Sequence, residues 1–532
     1  MTTAEVPPSI GVLPEVRSGA AAGATGEPSL ANTRAMQVRG RLLEMAPGVV
    51  VWVVLLGPVG IGFGIAAANF EYLWVLGLGA VALDCYWLVR LVYTFRYVSR
   101  GWRLLEETSA IDWRSRLAEL PAVPRLPDPG PLTHAVLIPT YTERYDVLRA
   151  TVRSLAEADY PAQAKIVAII TRTTDVGGHQ NVARLQVEFG DRFRAFWHIH
   201  DPLRPGIVVG KSAAMAYGGP VLKQACDDLG LDPDRVIVTD LDSDYRVHPQ
   251  YFAHISHEYA RADDRATSIW QPVPVFRNNF WRVPAAVRCM ATLSTQWQLY
   301  LHLHPRRLVM FSAYSMPLRL LDEVGYWDDD AIPEDSRFFW KAFFRYGDRL
   351  HVRAVFLPMF GDAPRARDYG GTLVSQYNQI KRWAWGVTDI PYVARRMVVH
   401  KEIPRRVRLA RFQMLIFNHL GWATLPILIF IGGALPSLLN YDYSLSDTGT
   451  ILETAATVIL QMTLLNIVAV AVLDNRIHPR PRIWPWWRRR LADLQMLLYP
   501  VVFLVLSALP ALEAQTRLLF GAYLEYRVTE KE

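Results

Sequence analysis

Long apolar stretches flank a central region in which short apolar runs alternate with polar segments. Five stretches approach or exceed the roughly 20 residues with which a helix crosses a bilayer: 46–70, 72–95, 412–441, 454–473 and 494–512. The second stretch contains Asp84 and Arg90, which we interpret as packing or interface-seeking groups rather than functional ones. The last contains Pro500 and Pro510, so it is predicted either to span or to re-enter, which leaves the side of the C-terminus open.

The central region, 131–400, has the composition of a soluble α/β domain. Strand-like runs occupy 134–140, 166–171, 235–241, 267–271 and 352–357. Helix-like segments occupy 145–158, 211–228, 249–261 and 334–346. This alternation predicts a mostly parallel sheet covered by helices, with ligands at the carboxyl ends of its strands.

The flanking segments complete the predicted organisation of the chain. Residues 1–33 are rich in small and polar residues and are predicted to be disordered. Two membrane helices are predicted within 34–95, and an interfacial segment with a Pro-rich linker over 96–130. About three spanning or re-entrant helices and a tail are predicted within 401–532.

Charge gives this arrangement an orientation. The net charge is +7, and arginines gather beside the apolar runs, which favours anionic lipid over nucleic acid as the partner. The loop 437–449 contains no Lys or Arg, whereas 475–490 contains six arginines. Because positive loops stay in the cytoplasm, we predict a multi-pass protein of the inner (plasma) membrane with a cytosolic central domain. Three isolated cysteines indicate no disulfide framework.

Three carboxylates follow one buried strand. The β-branched run Val236–Val238 leads into Asp240, Asp242 and Asp244. Side chains at i and i+2 of an extended chain share a face, so these acids repel unless a cation lies between them. A hard divalent ion that also binds substrate phosphates would resolve the repulsion. An acidic loop that caps the next helix is the alternative.

Two further segments place polar groups at predicted strand or helix ends. The segment 138–143 closes the first strand and opens a helix, where free N–H groups suit a phosphate or a base edge. Lys211 begins a helix of small residues and would offset the charge of a diphosphate, although a lone lysine is usually solvated.

Two later helices carry the remaining candidates. Glu334 and Asp335 precede a helix with an aromatic face, which suits either dipole complementation or a general base with a raised pKa. Gln379 and Trp383 are i, i+4 neighbours with Arg382 beside them. That helix is predicted to be either an interfacial anchor or an aromatic platform beside a phosphate-binding arginine.

The ordered set Asp-x-Asp, Glu-Asp and Gln-x-x-Arg-Trp, within one domain flanked by spans, resembles the family 2 membrane glycosyltransferases. Cellulose synthases and their bacterial relatives are the most similar type. The resemblance covers about 131–400 and the flanking spans. It implies an α/β GT-A fold and a nucleotide diphosphate sugar donor, usually linked to UDP.

The resemblance also implies a role for each candidate residue. Asp242 and Asp244 would bind the donor diphosphate through Mg²⁺ or Mn²⁺, and Asp335 of the Glu334–Asp335 pair would be the general base. The expected donor-binding residues are Thr140, Tyr141, Glu143, Asp175, Lys211 and Asp240. The expected acceptor and diphosphate residues are Gln379, Arg382, Trp383, Ser312 and Tyr314.

Three departures from the family pattern bear on these roles. Asp175 lies further from its strand than the family's first aspartate, and Pro333 stands where a threonine is usual. The pair Asp240/Asp242 is an alternative register to Asp242/Asp244.

We therefore predict a metal-dependent inverting hexosyltransferase that extends a glycan at the cytosolic face, coupled to its secretion. Five spans are few for a complete channel, so export would use a homo-oligomer or a secretion partner. A non-processive enzyme that glycosylates a lipid is one alternative. An inactive GT-A scaffold or a transporter is an alternative of another class.

Overall fold

The computed structural model describes residues 9–13, 34–120, 131–202, 204, 207 and 210–524. Its strands are β1 Ile10–Val12, β2 Thr133–Pro139, β3 Lys165–Arg172, β4 Ala195–Asp201, β5 Val236–Asp240, β6 Ser268–Phe276, β7 Tyr314–Pro317 and β8 His351–Gly361. Helices α1 to α12 are Arg34–Asn69, Trp74–Ser109, Trp113–Ala118, Tyr145–Glu157, Val176–Phe189, Lys211–Asp228, Tyr251–Arg261, Ala285–His302, Leu318–Val324, Glu334–Tyr346, Tyr369–Ala384 and Asp389–Val399. Helices α13 to α19 are Arg405–Gly432, Leu435–Leu439, Tyr441–Leu445, Asp447–Ile477, Trp486–Leu494, Tyr499–Phe503 and Leu509–Phe520.

The strands form one eight-stranded mixed sheet in the order β1-β4-β3-β2-β5-β7-β6-β8. Only β7, among the described strands, runs antiparallel to its neighbours, β5 and β6. All five predicted strand-like runs coincide with strands, and the prediction of a mostly parallel sheet is confirmed. The sequence patterns missed β1, β4 and β7.

Helices cover both faces of the sheet, and its strands supply side chains to each side in alternation. In β2, Ala135 and Leu137 join one buried cluster, whereas Val136 and Ile138 join the other. Helix α4 buries Leu148, Val152 and Leu155, which lie on one helical face at i, i+4 and i+7. This two-sided burial explains why the central strands are continuous hydrophobic runs.

The N-terminal region contains one ordered strand where the sequence predicts disorder. β1 pairs in parallel with β4 and completes that edge of the sheet. The Gly11 carbonyl also accepts a 3.1 Å hydrogen bond from Gln186 Nε2 in α5. The prediction of disorder is therefore wrong for 10–12. The edge of β4 presents unpaired backbone N–H and C=O groups, and a short extended segment can pair with them without a marked hydrophobic pattern of its own. The predictions for 1–8, 14–33, 121–130 and 525–532 lie outside the described residues.

Within the described part of the chain, four helical stretches are long and apolar enough to cross a membrane: Gly40–Ser109, Arg405–Gly432, Asp447–Ile477 and Trp486–Phe520. The first is broken after Asn69, whose extended backbone and side chain cap the short turn that follows. α1 and α2 form a hairpin, since a Cβ on Gly62 would meet the Leu76 side chain. α2 also extends beyond the predicted span, and its Trp102 and Leu105 are buried in the core of the central α/β domain.

The stretch Trp486–Phe520 lies against the central α/β domain at both ends. Near its start, Gln495 accepts hydrogen bonds from Arg288 Nε at 2.6 Å and from Cys289 Sγ at 3.3 Å. Near its end, Glu513 pairs with Lys381 Nζ of α11 at 3.0 Å. A π-helical turn, Leu504–Ala508, interrupts it between these contacts. Because the same stretch is also long and apolar enough to cross a membrane, the spanning and the re-entrant alternatives both stay predictions.

Candidate active site

A single cavity of about 1130 Å³ begins at the carboxyl ends of β2 and β5 and continues among the apolar helices. Its lining at the strand ends includes Thr140, Lys211, Asp242, Asp244 and Asp335. Its opposite end is lined by residues of α2, α13, α16 and the stretch Trp486–Phe520. The predicted location of the site, at the carboxyl ends of the strands, is where this cavity lies.

Lys211, the first residue of α6, lies among three carboxylates. Its Nζ is 3.1 Å from Asp240 Oδ1, 2.7 Å from Asp242 Oδ1 and 3.0 Å from Glu334 Oε1. Burial alone opposes the ammonium charge, but the three carboxylates outweigh burial and raise the pKa of Lys211. Lys211 is therefore a fixed cation that joins the end of β5 to the start of α10.

Asp242 and Asp244 reach the cavity from the loop after β5. The Asp242 side chain keeps 26% of its surface exposed, which leaves it accessible to a ligand. Asp244 is buried, and its Oδ2 accepts a 3.2 Å hydrogen bond from the Asp362 amide that follows β8. Asp240 is also buried and, unlike Asp242 and Asp244, does not line the cavity; the register of the metal-binding pair stays a prediction.

Asp335 lies in the cavity wall at the start of α10. Its Oδ2 accepts a 3.1 Å hydrogen bond from the Ser312 amide, and its Oδ1 accepts one of 2.7 Å from the Ser336 amide. Ser312 has φ +53°, a strained value for a residue with a side chain, and this turns its amide towards Asp335. Burial, reinforced by repulsion from Glu334, raises the pKa of Asp335 to about 7.

A second buried carboxylate, Asp389, anchors the start of α10. Its Oδ2 accepts a 2.6 Å hydrogen bond from Ser336 Oγ, and its Oδ1 is 2.8 Å from Arg337 Nε. Because Ser336 and Arg337 directly follow Asp335, this network fixes the backbone that carries the candidate base. Sequence reasoning missed Asp389, which stands alone at the start of α12 without a motif.

The turn between β2 and α4 is joined to two neighbouring strand ends. Glu143 accepts hydrogen bonds from Thr140 Oγ1 at 2.6 Å and from Ser243 Oγ at 3.1 Å. Thr142, at φ +59°, donates its amide to Asp175 Oδ2 at 3.0 Å. Asp175 also caps α5, so it supports the turn from behind rather than lining the cavity.

Comparisons with known proteins agree with this geometry. Residues 237–472, from β5 into α16, match the family described as Glycosyl transferase family group 2. Over these residues the chain is similar to a family 2 glycosyltransferase domain. Its mixed sheet agrees with the GT-A fold that the sequence predicts.

Two solved structures are among those similar to this chain. One is the mannosyltransferase PcManGT from Pyrobaculum calidifontis in complex with GDP-Man and Mn²⁺, with 14% identity, coverage of 76% of this chain and 98% of that chain, and a TM-score of 0.43. The other is S. aureus TarS 1–349 in complex with UDP-GlcNAc, with 12% identity, coverage of 70% and 90%, and a TM-score of 0.33. No curated protein matches the chain. The finer likeness to cellulose synthases stays a prediction.

The fold brings most of the predicted residues to one cavity, with three exceptions besides Asp175. Tyr141, Glu143, Ser312, Glu334, Arg382 and Trp383 line it together with the residues named above. Gln379 is buried against Gln376 at 3.3 Å, and Asp240 lies behind the lining. The Tyr314 hydroxyl is buried, 2.7 Å from Trp327 Nε1, and also lies outside the lining. These residues support the site instead of facing it.

Trp383 contributes an aromatic surface to the cavity that the candidate base Asp335 also lines. Its ring centroid is 6.0 Å from that of Phe311 and 6.3 Å from that of Phe276. Phe311 precedes Ser312, whose amide holds Asp335, so the indole and the carboxylate share one part of the cavity wall. Aromatic rings beside a base suit the apolar face of a sugar.

Proposed function

We propose that this enzyme transfers a sugar, with inversion, from a nucleotide diphosphate sugar to an acceptor that reaches the site from the membrane. The single observation that carries this proposal is the continuous cavity. It connects Asp242, Asp244 and Asp335 with apolar surface among the candidate spans.

The carboxylate set fits a hard divalent cation. Asp240, Asp242 and Glu334 surround Lys211, the fixed cation among them, and two further carboxylates, Asp244 and Asp335, line the same cavity. Oxygen ligands of this kind suit Mg²⁺ or Mn²⁺, and Asp242 and Asp244 would hold the ion. When bound, the ion would supply positive charge to the donor diphosphate. Lys211 would add a second, permanent positive charge.

The chemistry at the acceptor requires one base. Asp335 would take the proton of an acceptor hydroxyl, whose oxygen then forms a bond to the anomeric carbon of the donor. The bond from that carbon to the diphosphate breaks on the opposite face, and the nucleotide diphosphate leaves. One displacement with one base inverts the anomeric configuration. A pKa of about 7 suits Asp335 to this role at neutral pH.

The membrane end of the cavity favours a lipid-linked acceptor. Its lining is largely aliphatic and aromatic, and includes Leu425, Phe430, Leu464, Ile467 and Phe503. Such a surface stabilises an apolar tail, while the acceptor hydroxyl lies at Asp335. The alternative of a non-processive, lipid-glycosylating enzyme is therefore the form that we favour.

A growing glycan, with coupled secretion, is the second candidate. Asn418, Gln461 and Asn466 also line the membrane end and offer hydrogen-bond partners to sugar hydroxyls. Trp383 would stack on the sugar nearest the base. In this form the enzyme would resemble the cellulose synthases and use a UDP-linked donor, as the sequence predicts. Export of the glycan would then require an oligomer or a secretion partner.

We also propose that the catalytic domain faces the cytosol at the inner membrane. The arginine-rich loop 475–490 contacts the domain, where Trp281 Nε1 donates a 3.1 Å hydrogen bond to the Pro479 carbonyl. The loop 437–449, without Lys or Arg, packs instead beside the α1–α2 turn, where Gly77 meets Tyr443. Positive charge on the domain side agrees with retention in the cytoplasm.

A panel of nucleotide sugars tests the proposed function. The full chain, purified in detergent, is assayed for hydrolysis and transfer with UDP- and GDP-linked sugars, with Mg²⁺, with Mn²⁺ and with a chelator. We expect activity with one donor class, loss on chelation, and loss in Asp242→Asn, while the control Asp228→Asn at the far end of α6 retains activity. Metal-independent turnover, or full activity of Asp242→Asn, would contradict the proposal. Assays with lipid extracts and with soluble oligosaccharides as acceptors distinguish the lipid-glycosylating form of the proposal from the glycan-extending form.

A further inference from the structure

Three histidines meet at the end of β4, outside the cavity lining. His198 and His200 are i and i+2 on β4 and share one face of the strand, and His179 lies in the second turn of α5. One potential ligand nitrogen from each lies within 4.8 Å of the other two. His200 Nε2 and His198 Nδ1 are separated by 3.2 Å.

The outer nitrogens of two of these rings are held by neighbouring oxygens. His179 Nε2 lies 2.9 Å from the Arg172 carbonyl, which can only accept, so this nitrogen carries the proton and Nδ1 carries the lone pair. His198 Nε2 lies 2.7 Å from Thr171 Oγ1, which leaves its Nδ1 directed towards His200. Metal-binding histidines commonly donate the second ring N–H to an oxygen in this way.

The short distances in the cluster favour three neutral rings around a bound cation over three protonated rings. Imidazolium groups at these distances would repel one another, whereas neutral rings present lone pairs to a shared centre. In a tetrahedral zinc site with Zn–N bonds of about 2.0–2.1 Å, ligand nitrogens lie roughly 3.3 Å apart. The 3.2 Å pair already has this spacing, and His179 and His200 are half-buried rather than sealed.

We propose that His179, His198 and His200 bind one transition metal ion of the zinc class, with the fourth position left to water. Neutral imidazole suits zinc, copper or nickel, whereas the carboxylates of the cavity suit magnesium or manganese. The two sites therefore select different ions. This proposal does not depend on the donor or on the acceptor of the enzyme.

The position of the cluster gives the ion a structural role. Arg172 and His179 bracket the turn from β3 into α5, and Asp175 lies in that turn and accepts the Thr142 amide. A metal bound to β4 and α5 would hold this turn in place. Because Thr142 belongs to the turn that begins at Thr140, the ion would stabilise one wall of the donor pocket from behind.

Metal content and thermal stability test this site directly. The full chain, purified without a polyhistidine tag, is stripped with a chelator, loaded with Zn²⁺ and desalted, and its bound zinc is measured by atomic emission. We expect one zinc per chain and a higher melting temperature. His179→Gln and His200→Gln should each weaken zinc binding at least ~10²-fold and abolish the stabilisation. Co²⁺ should give the visible absorption of a tetrahedral site in the wild type alone.

Two control variants make the result decisive. His351→Gln removes a surface histidine elsewhere in the domain, and Asp242→Asn alters the carboxylate site; both should keep one zinc per chain. Circular dichroism checks that each variant is folded. Zinc lost in Asp242→Asn but kept in His179→Gln would overturn the assignment, as would an unmodified chain that retains no zinc.

Discussion

The donor end and the membrane end of the cavity are built from different parts of the chain. At the donor end, polar side chains come from strand ends and helix starts, and hydrogen bonds from neighbouring strands hold them, as Asp362 holds Asp244. At the membrane end, mostly apolar side chains come from helices that are far apart in sequence. Trp422 Nε1 of α13, for example, donates a 2.8 Å hydrogen bond to Ser507 Oγ. Donor chemistry and acceptor choice are therefore separable, and a substitution at one end should leave the other intact.

The largest expected effect is at the junction of the two ends. Asp335→Asn keeps the size of the side chain but removes the base, so transfer should fall by ~10²–10⁴-fold. Donor binding should change little, because Asp242, Asp244 and Lys211 are untouched. Initial rates and donor titration by calorimetry measure the two quantities. Asp329→Asn, an exposed acid in the preceding loop, is the matched control, and turnover of Asp335→Asn near that of the control would remove Asp335 from catalysis.

The pH dependence sharpens the assignment of the base. The pKa of Asp335 is raised to about 7, so the carboxyl keeps its proton, and cannot act as a base, below that pH. The maximal rate should therefore rise about tenfold per pH unit up to pH 7 and level off above it. An aspartate with an ordinary pKa would give a flat profile between pH 5 and 8. A maximal rate that does not change with pH, measured with saturating donor and metal, would contradict a base with a raised pKa.

A smaller, selective effect is expected at the membrane end. Ile467 of α16 lines the cavity, whereas its neighbour Val468 is 64% exposed on the helix surface. Ile467→Trp should raise the KM for a lipid acceptor roughly tenfold, the equivalent of about 1.4 kcal/mol, and leave donor hydrolysis unchanged. Val468→Trp adds the same bulk outside the cavity and should affect neither. Equal losses of hydrolysis and transfer in Ile467→Trp would show that the two ends are not independent.

The sequence predicted the donor end well because local patterns determine it. Continuous apolar runs mark β2, β3 and β5, and the acids after β5 follow from strand periodicity. The same reasoning placed Lys211 at a helix start. It did not predict that Lys211 would already be paired with three carboxylates, because Glu334 comes from a helix more than 120 residues later.

Features that depend on long-range packing escaped the sequence analysis. β7 has four residues, too few for a period to be visible, and its antiparallel direction follows from its place between β5 and β6. The histidine cluster joins His179 to β4 across about twenty residues without a motif spacing. The cavity itself has no sequence signal, since its walls meet only when helices from both ends of the chain pack together.

The course of Trp486–Phe520 has a consequence for the order of events during synthesis. Tyr499, Phe503 and Ser507 of this stretch complete the wall of the membrane end, yet they are translated more than one hundred residues after Trp383. Every residue assigned to donor binding and to the base has left the ribosome before that wall can close. A nascent chain can thus assemble its nucleotide-sugar pocket first, and the chamber that admits the acceptor is finished last.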